Sequence, residues 1–250
     1  MKTFGGFVMH IRKGYFIRKI SKNKVLILNF SLIILIFCSV LTHSAKKNKN
    51  ESSLAYVPLY NIDTNKSVYT VTVDIHGEEN INDVKLLSNV LKGMNVEATF
   101  FVTTDWIKKN DEIINKLSSD GHKFALQIIK EQDNNSRSDT MKFLANENDS
   151  FYNVCEYYPR YVRINCDNVG KIPELLNAFG QEYVSASHIF SRELKIIKEG
   201  SIILIKNIVS ETPYEIAEYI GYCTEKGYKS ISLNELVNIN TEIKEDISES

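Results

Sequence analysis

Three things are scarce in this chain of 250 residues. Acidic residues are missing from positions 1–42, although the chain holds 31 of them. Internal repeats and long low-complexity tracts are missing too, which excludes a repeat architecture. Cysteines number four, and no two have the spacing of a zinc site. Cys38 lies in an apolar run, which leaves Cys155, Cys166 and Cys223, an odd number. A Cys155–Cys166 bridge and three separate buried thiols both stay open, the second being the plainer expectation. The missing acidic residues make the charge uneven. Seven Lys or Arg fall in positions 1–42, and the remainder carries a net charge of −8. An acidic outer part excludes a nucleic-acid partner, since phosphate binding needs a basic face.

What is present begins with a membrane-like segment. Val25 to Leu41 is mostly apolar, and the uncharged run extends to Ala45. Its 21 residues, at ~1.5 Å each, span about 30 Å, the thickness of a hydrocarbon core. Basic residues precede it in greater number than follow it, so the N-terminus is expected inside and the rest outside. The rival is a cleaved signal peptide and a secreted product. The leader is long for that, and His43 spoils the small-residue pattern before Ala45. Bulky Phe37 argues against lipid attachment at Cys38. The expected organisation is a basic cytoplasmic N-terminus (1–24), a transmembrane anchor or signal segment (25–42), a linker and lead-in (43–66), a folded domain (67–238) and an acidic tail (239–250). Within the lead-in, Leu54 to Ile62 suits a short strand or an extended arm against the domain.

From residue 69 strands and helices alternate. Tyr69–Asp74, Val96–Val102 and Lys123–Gln127 are β-branched, aromatic or apolar runs, as buried strands are. Between the first two, Asn80 or Asn82 caps a helix with Val84, Leu87, Val90 and Leu91 on one face and Gly93 at its left-handed end. Between the next two, Asp105 opens a helix carrying Ile107, Ile113, Ile114 and Leu117 and closing at Gly121. Further on, a helix is expected over 139–154 with a break near Asn146–Asp149. Strands follow at Arg160–Asn165, Tyr183–Ser187, Ser201–Lys206 and Lys229–Ser232. Helices are expected over 172–179 and from Pro213 to about Gly227. Successive βαβ units make the chain α/β with a parallel sheet, whose working residues sit at the strand C-termini. Periodicity leaves a distorted (β/α) barrel and a doubly wound open sheet both standing.

Thr72-Val-Asp74-Ile-His-Gly77, then Val96-Glu-Ala-Thr-Phe-Phe-Val102, then Asp120-Gly-His122 together resemble the NodB-homology domain of the polysaccharide deacetylases. The likeness continues through Gly200–Lys206 and Lys226–Leu236 and covers roughly Ser67 to Val237. It implies a distorted (β/α) barrel of the polysaccharide deacetylase type and a hydrolase of N-acetyl amide bonds in a glycan. In that chemistry a divalent metal such as zinc activates water, a carboxylate takes the water's proton, and an acid protonates the departing amine.

Carried over position by position, the resemblance implies a depleted site. Asp74 matches the base, and Arg163 the arginine that orients it. The metal-binding Asp falls on Ile75, and the loop before Gly77 is one residue longer than the pattern. The two metal-binding His fall on Gln127 and Glu131, and the acid His on Lys206, followed by Asn207. The Pro-Pro-Tyr-Gly turn falls on Ile164–Asp167. Ile cannot hold a cation and Gln is a poor ligand. Beside Asp74 and Glu131, Lys206 is expected to form an ion pair that keeps it a poor acid. The expectation is therefore a member of the family without the metal-dependent mechanism and with no cofactor. His76, Gln127, Glu131 and Lys206 are its cleft candidates. Its partner is a cell-envelope polysaccharide or an envelope protein, and it meets the membrane through the N-terminal helix. The alternative is an active hydrolase with a rearranged metal site around Asp74, His76 and Glu131. Otherwise His76, Glu78 and Glu79 form a solvated acidic loop. His122 is expected to be structural, and His188 to sit on an exposed loop. Trp106 suits stacking on a sugar or core packing equally. Tyr157, Tyr158 and Tyr161 are expected to pack, with a glycan platform as the other reading.

Overall fold

The computed structural model describes residues 57–130, 135–193 and 195–239. Segment 25–42 and Glu131 lie outside the described residues, as do the basic N-terminus and nearly all of the acidic tail. Among the described residues, no helix is long and apolar enough to cross a membrane.

Eight strands form one parallel sheet: β1 (Val68–Ile75), β2 (Ala98–Val102), β3 (Lys123–Ile128), β4 (Tyr161–Ile164), β5 (Glu182–Tyr183), β6 (His188–Ile189), β7 (Ser201–Ile205) and β8 (Lys229–Ser230). Their order is β5-β4-β3-β2-β1-β7-β6, with β8 on β1. The helices are α1 (Ile81–Gly93), α2 (Thr104–Ile107), α3 (Asp111–Ser119), α4 (Arg137–Cys155), α5 (Ile172–Leu175), continued as a 3₁₀ turn, and α6 (Thr212–Glu225). Residues 233–239 are also helical.

Strand alternation divides the core in two. Val71, Val73 and Ile75 of β1 pack with α1 residues Val84, Leu87 and Leu91 and with α6 residues Ile216 and Ile220. Phe101, Ala125, Tyr161 and Ile202 form a second cluster with Leu233, Leu236 and Val237. The sheet thus curls around its second face, and the fold is a curled half-barrel. This settles the choice that periodicity left open. The strands do not close into a full ring. Instead the lead-in crosses the seam, as the extended-arm reading expects. The Leu59 amide donates to the Tyr183 carbonyl at 2.8 Å, and Ile62 donates to Gly200 at 2.9 Å. A Cβ on Gly200 would lie 1.8 Å from the Ile62 carbonyl oxygen, so this crossing requires glycine.

Several local expectations are corrected. The left-handed residue after α1 is Asn95, with φ of 56°, while Gly93 stays helical. The helix expected to open at Asp105 is two helices. Thr103 caps α2 by accepting from the Trp106 amide, and the chain restarts after Asn110. Helix α4 runs unbroken through 146–149, because Asn148 is buried and accepts from Gln181 Nε2 at 2.7 Å. Strand β6 was not foreseen. It places His188 beside Ile203 of β7, half-buried rather than on an exposed loop. No cysteine among the three described is disulfide-bonded.

Candidate functional site

The C-terminal ends of β1 and β4 carry a closed polar centre. Asp74 follows Thr70 and Thr72 on one face of β1, and Arg163 follows Tyr161 on β4. The period of two turns all of these to the face opposite α1 and α6. Asp74 and Arg163 are 0% and 2% exposed. Arg163 Nη1 donates to Asp74 Oδ1 at 2.6 Å, and Asn165 Nδ2 donates to Asp74 Oδ2 at 2.7 Å. Arg163 also donates to Thr72 Oγ1 at 3.2 Å and to the carbonyls of Val184 and Ser185 at 3.4 and 3.2 Å. Its guanidinium lies over the Phe101 ring, 3.9 Å from the centroid. Burial lowers the guanidinium pKa, and the Asp74 charge and hydrogen bond oppose that shift. Each carboxylate oxygen therefore already has a donor.

Beside this centre lies a cavity of about 550 Å³. Its wall includes His76 and Gly77 from the end of β1, Thr104–Trp106 from α2, Gln127 from β3 and Glu147 from α4. Thr104 donates to Glu147 Oε2 at 2.7 Å. Gln127 is 1% exposed, yet neither its amide nitrogen nor its oxygen has a hydrogen-bond partner among the described residues. His76 Nε2 is also buried and unpartnered.

The family model for polysaccharide deacetylase matches residues 61–170. A solved family 4 carbohydrate esterase from Bacillus anthracis is 28% identical. The match covers 72% of this chain and 87% of that one, with a TM-score of 0.61. Residues 61–170 thus carry the sequence pattern of a polysaccharide deacetylase domain. The same fold recurs in a family 4 pseudoenzyme from Bacillus anthracis (16% identity, 73% and 69% coverage, TM-score 0.64). It recurs again in a family 4 carbohydrate esterase from Bacillus subtilis (20% identity, 73% and 86% coverage, TM-score 0.60). No curated protein matches the sequence.

Deacetylase domains of this family imply a metal, and the described residues, which do not include Glu131, do not by themselves fit one. Ile75, which replaces the metal-binding Asp, is fully buried and turned into the core against the helices. The extra loop residue instead brings His76 to the cavity. Asp74 has given both oxygens to Arg163 and Asn165. Among the described residues, no three His, Cys, Asp or Glu side chains are placed to hold a metal ion. A zinc-like ion needs about three such ligands.

The structure brings Asp74 and Arg163 together, and places His76 and Gln127 in one cavity wall. Lys206 is exposed and makes no ion pair with Asp74, contrary to that half of the expectation, while its other expected partner, Glu131, lies outside the described residues. The physical reason is that Arg163 has already neutralised Asp74. The loop after β1 is not simply solvated either. Glu79 turns back to accept from the amides of His76 and Gly77 at 2.6 and 2.8 Å.

His122 is structural. It is 2% exposed, accepts from the Ala98 amide through Nδ1, and faces the Ser88 carbonyl through Nε2. Trp106 is 5% exposed and belongs to the core while lining the cavity. Of the tyrosines, Tyr157 and Tyr161 are tied down, to Phe124 and to Asn234. Tyr158 is exposed and stacks on Tyr152. Asn165 and Thr72 were missed as site residues. Each lies two positions from a named one, Arg163 or Asp74, and the strand period was the signal.

Proposed function

We propose that this is an extracytoplasmic, polysaccharide deacetylase-like protein. It is held at the membrane by segment 25–42, and binds a cell-envelope glycan without hydrolysing it through a metal. One observation carries the reading: the Asp74 carboxylate is occupied at both oxygens, by Arg163 and by Asn165. A general base must keep an oxygen within reach of the water it deprotonates. Asp74 is 0% exposed and Asn165 covers the oxygen that Arg163 leaves, so no water reaches the carboxylate in this arrangement. Of the three positions that should supply metal ligands, two hold Ile75 and Gln127 and only Glu131 could bind a cation, so the hydrolytic chemistry lacks most of its parts.

The glycan reading is supported by the family, whose substrates are polysaccharides, and by a cavity of about 550 Å³ at the end of the sheet where such domains work. A named precedent fits as well. The solved Bacillus anthracis pseudoenzyme has this fold, and a mutant of it is described as having restored enzymatic activity. The test uses the full chain in detergent, with insoluble peptidoglycan and with N-acetylated oligosaccharides. Retention on the glycan without acetate release is the expected result. Acetate release with added zinc, cobalt or nickel would favour the alternative, a rearranged metal site using Asp74, His76 and Glu131. No retention on any glycan would redirect the search to an envelope protein as partner.

A further inference from the structure

A second cavity, of about 370 Å³, opens at the other end of the sheet, where β2, β3 and β4 begin. Thr99, Lys123 and Tyr161 lie there on the face opposite α1, two residues before Phe101, Ala125 and Arg163 on the same strands. Most polar groups in its wall are engaged. The Tyr157 hydroxyl accepts from the Phe124 amide at 3.0 Å and donates to the Phe124 carbonyl at 3.1 Å. Tyr161 donates to Asn234 and Arg160 to Glu182, each at 3.0 Å. Glu235 accepts from the amide and hydroxyl of Ser232. Two opposite charges remain. Glu97 is half-buried and Lys123 is exposed, and neither side chain makes a hydrogen bond or a close ion pair among the described residues. Glu97 lies two residues before Thr99, and Thr99 is paired with Lys123. Strand geometry therefore sets the two Cα atoms about 8 Å apart. Burial raises the Glu97 pKa, Lys123 opposes that rise, and Glu235 adds to it.

We propose that this cavity binds a small zwitterion, with an ammonium and a carboxylate close together on an aromatic or apolar body, as in an amino acid or a dipeptide. Glu97 takes the ammonium and Lys123 the carboxylate, both through charge-assisted hydrogen bonds. The rings of Tyr157, Tyr158 and Tyr161 enclose the body. Charge complementarity selects this class. A simple cation would leave Lys123 facing a like charge, and a simple anion would meet Glu97 and Glu235. An uncharged ligand would leave both free charges without a counter-charge. The volume lies at the small end for small-molecule sites, which suits one aromatic amino acid better than a long chain. On β2, Phe101 stands between this cavity and the Asp74–Arg163 centre, whose guanidinium covers that ring. The site is thus independent of the glycan reading.

The test titrates the full chain in detergent, by calorimetry at neutral pH, with four probes. Phenylalanine and alanyl-phenylalanine are zwitterions. N-acetylphenylalanine lacks the ammonium, and phenylalaninamide lacks the carboxylate. At least one zwitterion is expected to bind about tenfold or more tightly than either blocked form. Whichever zwitterion binds more tightly identifies the source as a free amino acid or a dipeptide. Glu97→Gln should lose about tenfold for that zwitterion and leave N-acetylphenylalanine unchanged. Lys123→Met should lose about as much and leave phenylalaninamide unchanged. Without ligand, both variants should keep the wild-type Tm within about 2 °C, because neither side chain has a close partner to lose. A fall of more than about 5 °C would show that the charge is already satisfied within the fold, and would overturn the proposal. So would binding of a blocked form as tight as that of the zwitterions, or unchanged zwitterion affinity in both variants. Absence of binding by either zwitterion up to about 10 mM would also overturn it. Any of these failures leaves the glycan reading untouched, since that reading rests on the opposite end of the sheet.

Discussion

Two neighbouring patches at one end of the sheet treat their polar groups in opposite ways. Around Asp74 every hydrogen-bonding atom of the carboxylate is matched, by Arg163 and Asn165. Around Gln127 and His76 three buried atoms are matched by nothing among the described residues. The first patch holds a charge that must stay paired. The second holds neutral groups whose vacancy is costly but survivable. The Asp74 centre acts as a polar rivet joining β1, β4 and the chain after β5, while the Gln127 amide sits sealed behind the cavity wall.

The sharpest way to break this contrast is Arg163→Met. It leaves Asp74 buried without its partner and should cost about 3–5 kcal/mol in urea unfolding. A loss below about 1 kcal/mol would mean that the centre is no rivet, and that Asp74 is free for chemistry. Combining Arg163→Met with Asp74→Leu should recover most of that loss, because no charge is then stranded.

Next in size is Asn165→Ala. It removes one hydrogen bond to the charged carboxylate and should cost about 1–3 kcal/mol. If acetate release appeared in this variant with added zinc, Asn165 would be a block on an otherwise competent base.

The smallest effect lies away from both patches, at Asp120. Lys92, Lys116 and Ser88 all donate to its carboxylate, and these bonds hold its pKa well below the usual range. The lysines are substantially exposed, so Asp120→Asn should cost only about 1 kcal/mol or less at pH 7. A depressed folded pKa gives stability that is present above the unfolded value near 3.8 and lost as pH falls through the folded one. The wild type and Asp120→Asn should therefore differ at pH 7 and converge progressively below about pH 4. Urea midpoints at several pH values check this.

How far the sequence revealed this arrangement depends on what each feature rests on. Strands β1 to β3 were legible because buried parallel strands are continuous apolar and β-branched runs. The pairing of Asp74 with Arg163 came from the family pattern, and the structure places them in direct contact. Helix α4 was misjudged at 146–149, since a buried Asn148 looks like a breaker until its partner Gln181 is seen. The division of 104–119 into two helices depended on the Thr103 and Asn110 termini, which compete with a continuous periodic pattern. Strand β6 is two residues long and leaves no periodicity to read. Ile75 falls where the family pattern has a metal ligand, and its burial against the helices could not be read from one extra loop residue. Lys206 does not pair with Asp74, because a sequence does not say which cation reaches a carboxylate first.

The central claim is that the site has lost its metal. The most direct measurement is the metal content of the full chain, as purified and after incubation with zinc, cobalt or nickel followed by desalting, with Asp74→Ala measured beside it. The account predicts substoichiometric metal in both proteins. One ion per chain in the wild type, lost in a folded Asp74→Ala, would contradict it and return Asp74 to catalysis.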